Sequence, residues 1–293
     1  MSKTIAVIGS EGFVGSAFCR MVAGFYDVVR YDPALPDEEN RPDPRFDDAT
    51  QLWDWTGCEY CAGKDEVNAC DVAVVCVPTP MDKQGRCDTS IVEEVVAWID
   101  TPLIVIKSTV VPGTTARLVE ETGKPIIFSP EHTSGRKFFL PHEAAGGSDM
   151  KMPPMVVAGG NPWLCRKYFD LLIPILGSEK QYVALSSTEA EITKYMSNLY
   201  GGMVVTFANE MYEICKAFGA DWYKVWGTWG LDPKMSTFYT AVFPENRGFG
   251  GTCLPKDISA LEKASIDAGY NPHFVHEVIR SNIRLRSRHD SDN

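Results

Sequence analysis

No stretch of this 293-residue sequence stays apolar long enough to cross a membrane, since a spanning helix needs roughly 18 such residues. Runs of basic residues are missing too. With 28 Lys and Arg against 39 Asp and Glu, the formal net charge is −11, which argues against a nucleic-acid partner. A local cationic site for an anionic substrate remains compatible with that balance. Met1-Ser2-Lys3-Thr4 leads straight into a strand-like segment, so no signal peptide is expected. The nine cysteines are odd in number and scattered. They form no disulfide framework and point to a reducing, cytoplasmic setting. Cys58-x-x-Cys61 with Cys70 nearby lacks a convincing fourth ligand, because His132 and His142 lie far along the chain; no metal site is expected. There is no internal repeat. What is present is globular: 44% hydrophobic and 23% charged residues, enough for one large or two ordinary domains.

The first motif is a strand, a glycine turn and a helix. Lys3 to Ile8 is a short apolar run, followed by Gly9-Ser10-Glu11-Gly12-Phe13-Val14-Gly15 and a helical segment from Ser16. Glycines at these spacings allow a tight turn and close approach of a pyrophosphate to a helix N-terminus. The pattern is G-x-x-G-x-x-G, one residue longer at the front than the usual G-x-G-x-x-G. The next strand, Asp27 to Tyr31, ends in Asp32. A carboxylate there accepts from an adenosine ribose 2′-hydroxyl and repels a 2′-phosphate, which points to NAD rather than NADP.

Strands and helices then alternate. Asp71 to Val77 is a continuous apolar run ended by Pro78-Thr79-Pro80, and a helix follows from about Thr89 to Ile99. Strands at Leu103 to Ile106, Pro125 to Phe128, Met155 to Ala158 and Tyr182 to Leu185 complete the series. The alternation predicts a doubly wound parallel sheet. Ligands bind such sheets outside the carboxyl ends of the strands, so Gly9, Asp32, Pro78, Thr109 and Glu131 should face one cleft. From Ser187 the pattern changes to one helix running to Phe218, stopped by Gly219 and interrupted by Gly201-Gly202, which predict a kink or close packing. Shorter helices near Asp221 to Trp226, Lys256 to Ala268 and His273 to Arg286 follow. The expected division is therefore 1–186, a Rossmann-type domain, and 187–293, a helical domain.

Gly248-Phe249-Gly250-Gly251-Thr252-Cys253-Leu254-Pro255-Lys256-Asp257 packs three glycines, a cysteine and a charged pair into ten residues. Glycines let backbone approach a ligand, and a thiol held there is a potential nucleophile. Read alone, this could equally be a helix-capping loop with a buried cysteine.

With these residues in order, the sequence resembles the UDP-glucose/GDP-mannose dehydrogenases. The matching blocks are Gly12 to Gly15, Asp32, Val77 to Pro80, Ser108-Thr109-Val110, Pro112 to Thr115, Ser129-Pro130-Glu131, Glu191 to Asn198, Asn209-Glu210, Leu231-Asp232-Pro233 and Gly248 to Asp257. The resemblance implies an NAD-dependent enzyme that oxidises a sugar-nucleotide C6 alcohol to a carboxylate. It implies Cys253 as nucleophile, Lys194 and Asn198 as donors to an oxyanion, Asp257 in proton movement, and Thr109 and Glu131 in placing water. It implies cofactor contacts at Gly9, Gly12, Phe13, Val14, Gly15, Asp32, Val77, Pro78, Thr79 and Thr109. Substrate contacts are implied at Glu131, Lys194, Asn198, Lys234, Phe249 and Gly250, and a homodimer through the 187–218 helix. Glu131 is followed by His132-Thr133-Ser134-Gly135 where the family usually has an aromatic-Leu-x-Glu run, and Lys234 stands where arginine is common. The family's second Rossmann-like domain has no counterpart in the sequence. A single-step β-hydroxyacid-type dehydrogenase and a non-catalytic NAD-binding scaffold are the competing readings.

Overall fold

A computed structural model of the chain describes residues 3–32, 58–60, 63–131 and 155–291. The chain divides into two compact units. One comprises Met1–Pro80 with Asp88–Lys194, the other Met81–Cys87 with Tyr195–Asn293.

The first unit is built on one eight-stranded sheet in the order β3-β2-β1-β4-β5-β6-β7-β8. Its strands are β1 (Thr4–Ile8), β2 (Asp27–Tyr31), β3 (Cys58–Tyr60), β4 (Val72–Val75), β5 (Ile104–Ile106), β6 (Ile126–Phe128), β7 (Met155–Gly160) and β8 (Gln181–Leu185). All residues of β4, β5 and β6 are buried, as expected of strands covered on both faces. Side chains alternate between two cores. Ile5, Val7, Val72, Val74 and Val105 pack with Phe18, Tyr168 and Leu172 from α1 (Phe13–Val22) and α5 (Pro162–Leu176). Ala6, Ile8, Ala73, Val75 and Ile104 pack with Val92, Val96 and Leu118 from α3 (Ser90–Trp98) and α4 (Thr114–Thr122). A short helix, α2 (Lys64–Asn68), precedes β4.

One pairing departs from the all-parallel expectation: β6 and β7 are antiparallel, with Ile127 opposite Gly160 and Phe128 opposite Gly159. Strand direction is not encoded in an apolar run, and an antiparallel neighbour needs no helical crossover. The remaining pairings are parallel.

Helix α6 (Ser187–Ala217) runs for 31 residues, about 46 Å at 1.5 Å per residue. Ser186 and Glu189 form a capping box at its start: the Glu189 carboxylate accepts from Ser186 N at 2.8 Å, and Ser186 Oγ accepts from Glu189 N at 3.3 Å. Gly219, at φ 67°, ends it, and Ala220 N donates back to Cys215 O at 2.8 Å, a Schellman closure. The division between units falls inside this helix, after Lys194, rather than at its first residue.

In the second unit, α6 packs with α7 (Trp222–Trp229), α8 (Cys253–Asp267) and α9 (His273–Ser291). Phe249, Ile258, Val275 and Val278 form its core with Leu199 and Met203. The glycine pair in α6 serves close packing. A Cβ on Gly201 would lie 3.3 Å from the Tyr239 ring, and one on Gly202 would strike Ile258 Cδ1. The segment Met81–Cys87 is a small finger closed by a Met81–Cys87 bridge. Its Gly85 O accepts from Ser259 Oγ at 3.0 Å, and Arg86 pairs with Asp267 at the far end of α8.

Candidate active site

In the first unit, five parallel strands end on one edge of the sheet, in the order β2-β1-β4-β5-β6. Gly9, Asp32, Val77, Lys107 to Thr109 and Ser129 to Glu131 follow those ends. The glycine turn is tightly packed. Gly9 has φ 82°, and a Cβ there would lie 2.7 Å from Cys76 O; a Cβ on Gly15 would collide with Gly9 O. Gly9 N donates to Tyr31 O at 2.9 Å, and Gly12 N donates to Gly9 O at 3.2 Å. The turn thus lies flat against β4 and α1, with no side chain standing between its backbone and a ligand at the three glycines. Asp32 accepts from Glu11 N at 3.0 Å. Beneath it, the fully buried Arg30 on β2 pairs with Glu11, a contact that spacing did not reveal. Phe13 is exposed, whereas Val77 and Thr79 are buried and Pro78 is exposed.

At β5 and β6 the edge holds a buried charge pair. Lys107 Nζ lies 3.4 Å from Glu131 Oε2 and donates to Ser129 O at 3.4 Å. Burial would lower the Lys107 ammonium, but Tyr168, Glu131 and Cys76 around it hold it above its ordinary value. Burial pushes the Cys76 thiol up to about 12, partly opposed by Lys107. Ser108 Oγ donates to Val77 O at 2.7 Å, tying the loop that carries Thr109 to the loop after β4. Glu131, expected to place water, is thus held beside a cation. Lys107 was not among the expected site residues.

In the second unit, Cys253 is the first residue of α8 and is exposed. The helix begins here rather than at Lys256. Pro255 is its third residue, where a missing N–H removes no helical hydrogen bond. One turn on, the Asp257 carboxylate is 2% exposed. It accepts from Asn198 Nδ2 on α6 at 2.5 Å and lies 2.5 Å from Lys256 Nζ. Asn198 and Asp257 are therefore in contact, and Lys256 lies against the same carboxylate. Lys194 lies one turn before Asn198 on the same helix, at the end of the first unit.

The glycine loop before Cys253 is held from two sides. Arg247 donates to Asn209 Oδ1 at 2.6 Å and Glu213 Oε1 at 2.7 Å. Asn282 on α9 accepts from Phe249 N at 2.7 Å and donates to Phe249 O at 2.9 Å. Gly248 takes φ 72°, and a Cβ there would collide with Asn282 Oδ1. Phe249 departs from expectation: it is 4% exposed, inside the core, with both backbone polar groups taken by Asn282. The resemblance implies Phe249 as a substrate contact; here its ring is buried in the core, which contributes about 1.5–3 kcal/mol. Gly250 is half-buried, and Lys234 is exposed, paired with Asp232 at 3.5 Å. The positions from His132 to Lys137 and Cys61 lie outside the described residues, as does the side chain of Cys58. Among the described residues no group of three His, Cys, Asp or Glu is placed for a metal, and no helix is long and apolar enough to cross a membrane.

A first strand running into a glycine turn and helix, with a carboxylate closing the second strand, defines a dinucleotide-binding domain, here joined to a helical unit bearing a cysteine. Residues 60–161 match the NAD binding domain of the UDP-glucose/GDP-mannose dehydrogenase family, and residues 188–284 match its central domain. The chain belongs to the UDP-glucose/GDP-mannose dehydrogenase family, with NAD as its cofactor. It is 26% identical over 302 residues to a UDP-glucose 6-dehydrogenase of Haloferax volcanii, covering 95% of this chain and 69% of that protein. It is 32% identical over 232 residues to a GDP-mannose 6-dehydrogenase of Pseudomonas aeruginosa, covering 72% of this chain and 50% of that protein. A UDP-glucose dehydrogenase structure from Pyrobaculum islandicum superposes with a TM-score of 0.77 at 25% identity, covering 97% of this chain and 68% of that one. The chain thus spans about half to two thirds of the length of the relatives it matches.

Proposed function

We propose that this protein carries out NAD-dependent oxidation of a sugar-nucleotide C6 alcohol to the carboxylate, in two hydride transfers through a covalent bond to Cys253. The observation that carries the reading is the exposed thiol at the first residue of α8, one turn from the Asn198–Asp257–Lys256 cluster. Gly9, Gly12 and Gly15 with Phe13 and Val14 would cradle the pyrophosphate at the start of α1. Asp32 would take the adenosine ribose, while Val77 to Thr79 and Thr109 would flank the nicotinamide end. NAD, one molecule for each of the two oxidations, would supply the hydride acceptor when bound.

The residues of this chain do the remaining work. After the first oxidation, Cys253 Sγ adds to the aldehyde carbon, and the resulting alkoxide oxygen takes a hydrogen bond from Asn198 and charge stabilisation from Lys194. The second oxidation leaves a thioester on the same sulfur. Water, oriented by Thr109 and Glu131, breaks the carbon–sulfur bond, releasing the carboxylate and returning the thiol. Asp257, buried between an amide and an ammonium, passes protons at the sulfur end. Lys234 and Gly250 would contact the nucleotide sugar. Ile192, Met196, Tyr200, Phe207 and Ile214 are exposed at helical steps along α6, with Phe218 just past its end. This supports a homodimer through that helix, because monomers rarely expose long apolar stripes.

Stopped-flow absorbance with UDP-glucose and GDP-mannose tests the reading. Two NADH per substrate, and loss of turnover in Cys253→Ser, are expected. One NADH per substrate, unaffected by Cys253→Ser, would sink it in favour of a single-step dehydrogenase. NAD binding without turnover of either sugar nucleotide would favour a scaffold.

A further inference from the structure

Helix α4 starts without a cap of its own. Its N-cap is Gly113, in the left-handed region at φ 94°, with no side chain to accept from the first turn and no acidic residue within it. A Cβ at Gly113 would meet nothing within 4 Å, so the glycine is there for its backbone angle and not for space. The missing acceptor comes from far along the chain. Glu191 on α6 is fully buried, and its carboxylate accepts from Gly113 N at 2.5 Å and from Thr115 N at 2.9 Å. None of the described salt bridges involves Glu191. The charge is matched by the N-terminal end of α4, where backbone N–H groups and the helix dipole favour an anion.

The position of this contact matters. Gly113 closes the turn that begins at Lys107 and carries Thr109. Lys194 stands three residues beyond Glu191, on the same side of α6. One carboxylate therefore joins the loop proposed to place water to the helix turn proposed to stabilise the oxyanion, and all of these residues lie in the first unit.

We propose that Glu191 is a positioning residue for the oxidation: its carboxylate caps α4 in trans and so fixes Thr109 and Lys194 relative to each other. This rests on the function proposed above. Glu191 is fully buried and its carboxylate is taken up by the backbone of α4, so its effect is exerted through Thr109 and Lys194. The conservative change Glu191→Gln keeps the shape, but presents a donor to one of two backbone donors, so one short bond must break. A lost hydrogen bond to a charged acceptor corresponds to about a tenfold to hundredfold effect. Glu191→Asp keeps the charge and withdraws it by one methylene.

The test combines hydrogen exchange over residues 110–118 with steady-state kinetics, in wild type, Glu191→Gln, Glu191→Asp and Cys253→Ala. Expected for Glu191→Gln are exchange at Gly113 and Thr115 faster by about tenfold or more, kcat lower by a similar factor, and KM for NAD moved less than about twofold, because the glycine turn and Asp32 would still hold the pyrophosphate and ribose when the Thr109 loop loosens at the nicotinamide end. Glu191→Asp should fall between it and wild type. Cys253→Ala should lose turnover and exchange like wild type. Unchanged exchange in Glu191→Gln overturns the clamp. Faster exchange with unchanged kcat overturns the positioning role, as does a loss confined to KM for NAD. If Glu191→Gln does not fold, Glu191→Asp decides by the same criteria. If the wild type oxidises no sugar nucleotide, the proposed function fails, and the exchange comparison still decides whether Glu191 caps α4.

Discussion

Replacing Asn282 by alanine should loosen the segment that leads into Cys253. The amide of Asn282 faces the backbone of Phe249 with both of its ends, at 2.7 Å to the N–H and 2.9 Å to the carbonyl. Asn282 is 6% exposed and Phe249 4%, so water has little access to take over. Truncation leaves one backbone donor and one acceptor buried and unsatisfied, at about 1–3 kcal/mol each, or about 2–6 kcal/mol together. For a unit of roughly 100 residues, about 4–8 °C of melting temperature accompanies each kcal/mol, so the lower bound is a drop of about 8 °C. Thermal melting by circular dichroism reads the global effect. Amide exchange at Phe249 reads the local one and should rise by about thirtyfold or more for a loss of 2 kcal/mol. Ser281→Ala, which removes only a surface contact with Arg284, is the control and should stay within about 0.5 kcal/mol. If Asn282→Ala melts within 1 kcal/mol of wild type and Phe249 keeps its protection, Arg247 and Asn209 hold the loop unaided and the reasoning fails.

Two further outcomes follow from buried charge. Lys107→Met should destabilise the first unit by about 3–5 kcal/mol, because it takes the cation away from the buried Glu131 carboxylate; urea denaturation measures it, and a neutral result would show that the Lys107–Glu131 pair adds nothing to stability. Glu262 on α8 is penalised by burial, yet hydrogen bonds from Lys263 and His276 hold its carboxyl below the ordinary value. A lowered folded pKa means that this group stabilises the fold above its unfolded value and that the contribution is lost as pH falls through the folded value. Acid unfolding below about pH 4.5 should therefore be shallower in Glu262→Gln than in wild type, and parallel curves would exclude the contribution.

Much of the fold was legible because burial on two faces leaves continuous apolar runs. Leu103 to Ile106 and Pro125 to Phe128 could be read as strands with no partner in view, and Ser187 and Gly219 bracketed α6 to within a residue. The direction of β7 was not legible, since no residue pattern distinguishes a strand from its reverse. At the site, Asn198 and Asp257 were recognisable from their motifs. Lys107, Glu191 and Asn282 were not singled out, for a common reason. Each is a polar side chain whose meaning lies in a partner distant in sequence: Glu131 for Lys107, Gly113 and Thr115 for Glu191, Phe249 for Asn282. Composition says that such residues face water, and only the folded partner shows why these do not. Phe249 is the opposite case, an apolar residue implied at the substrate by the resemblance alone and buried in the core of the second unit.

The finger at Met81–Cys87 leaves the sheet unit after Pro80, packs with the helical unit through Ser259 and Asp267, and returns at Asp88. The chain therefore passes between the units three times, at residues 80/81, 87/88 and 194/195. A gene cut once, after Lys194, would not yield two independent modules. The front half would keep a loop with nothing to grip, and the back half would expose Asp267 and the Gly85-facing side of Ser259. Exchange of the helical unit between relatives by a single recombination would mismatch the finger with its receiving helix. A successful chimera must transplant seven residues from the middle of the front half together with everything after Lys194.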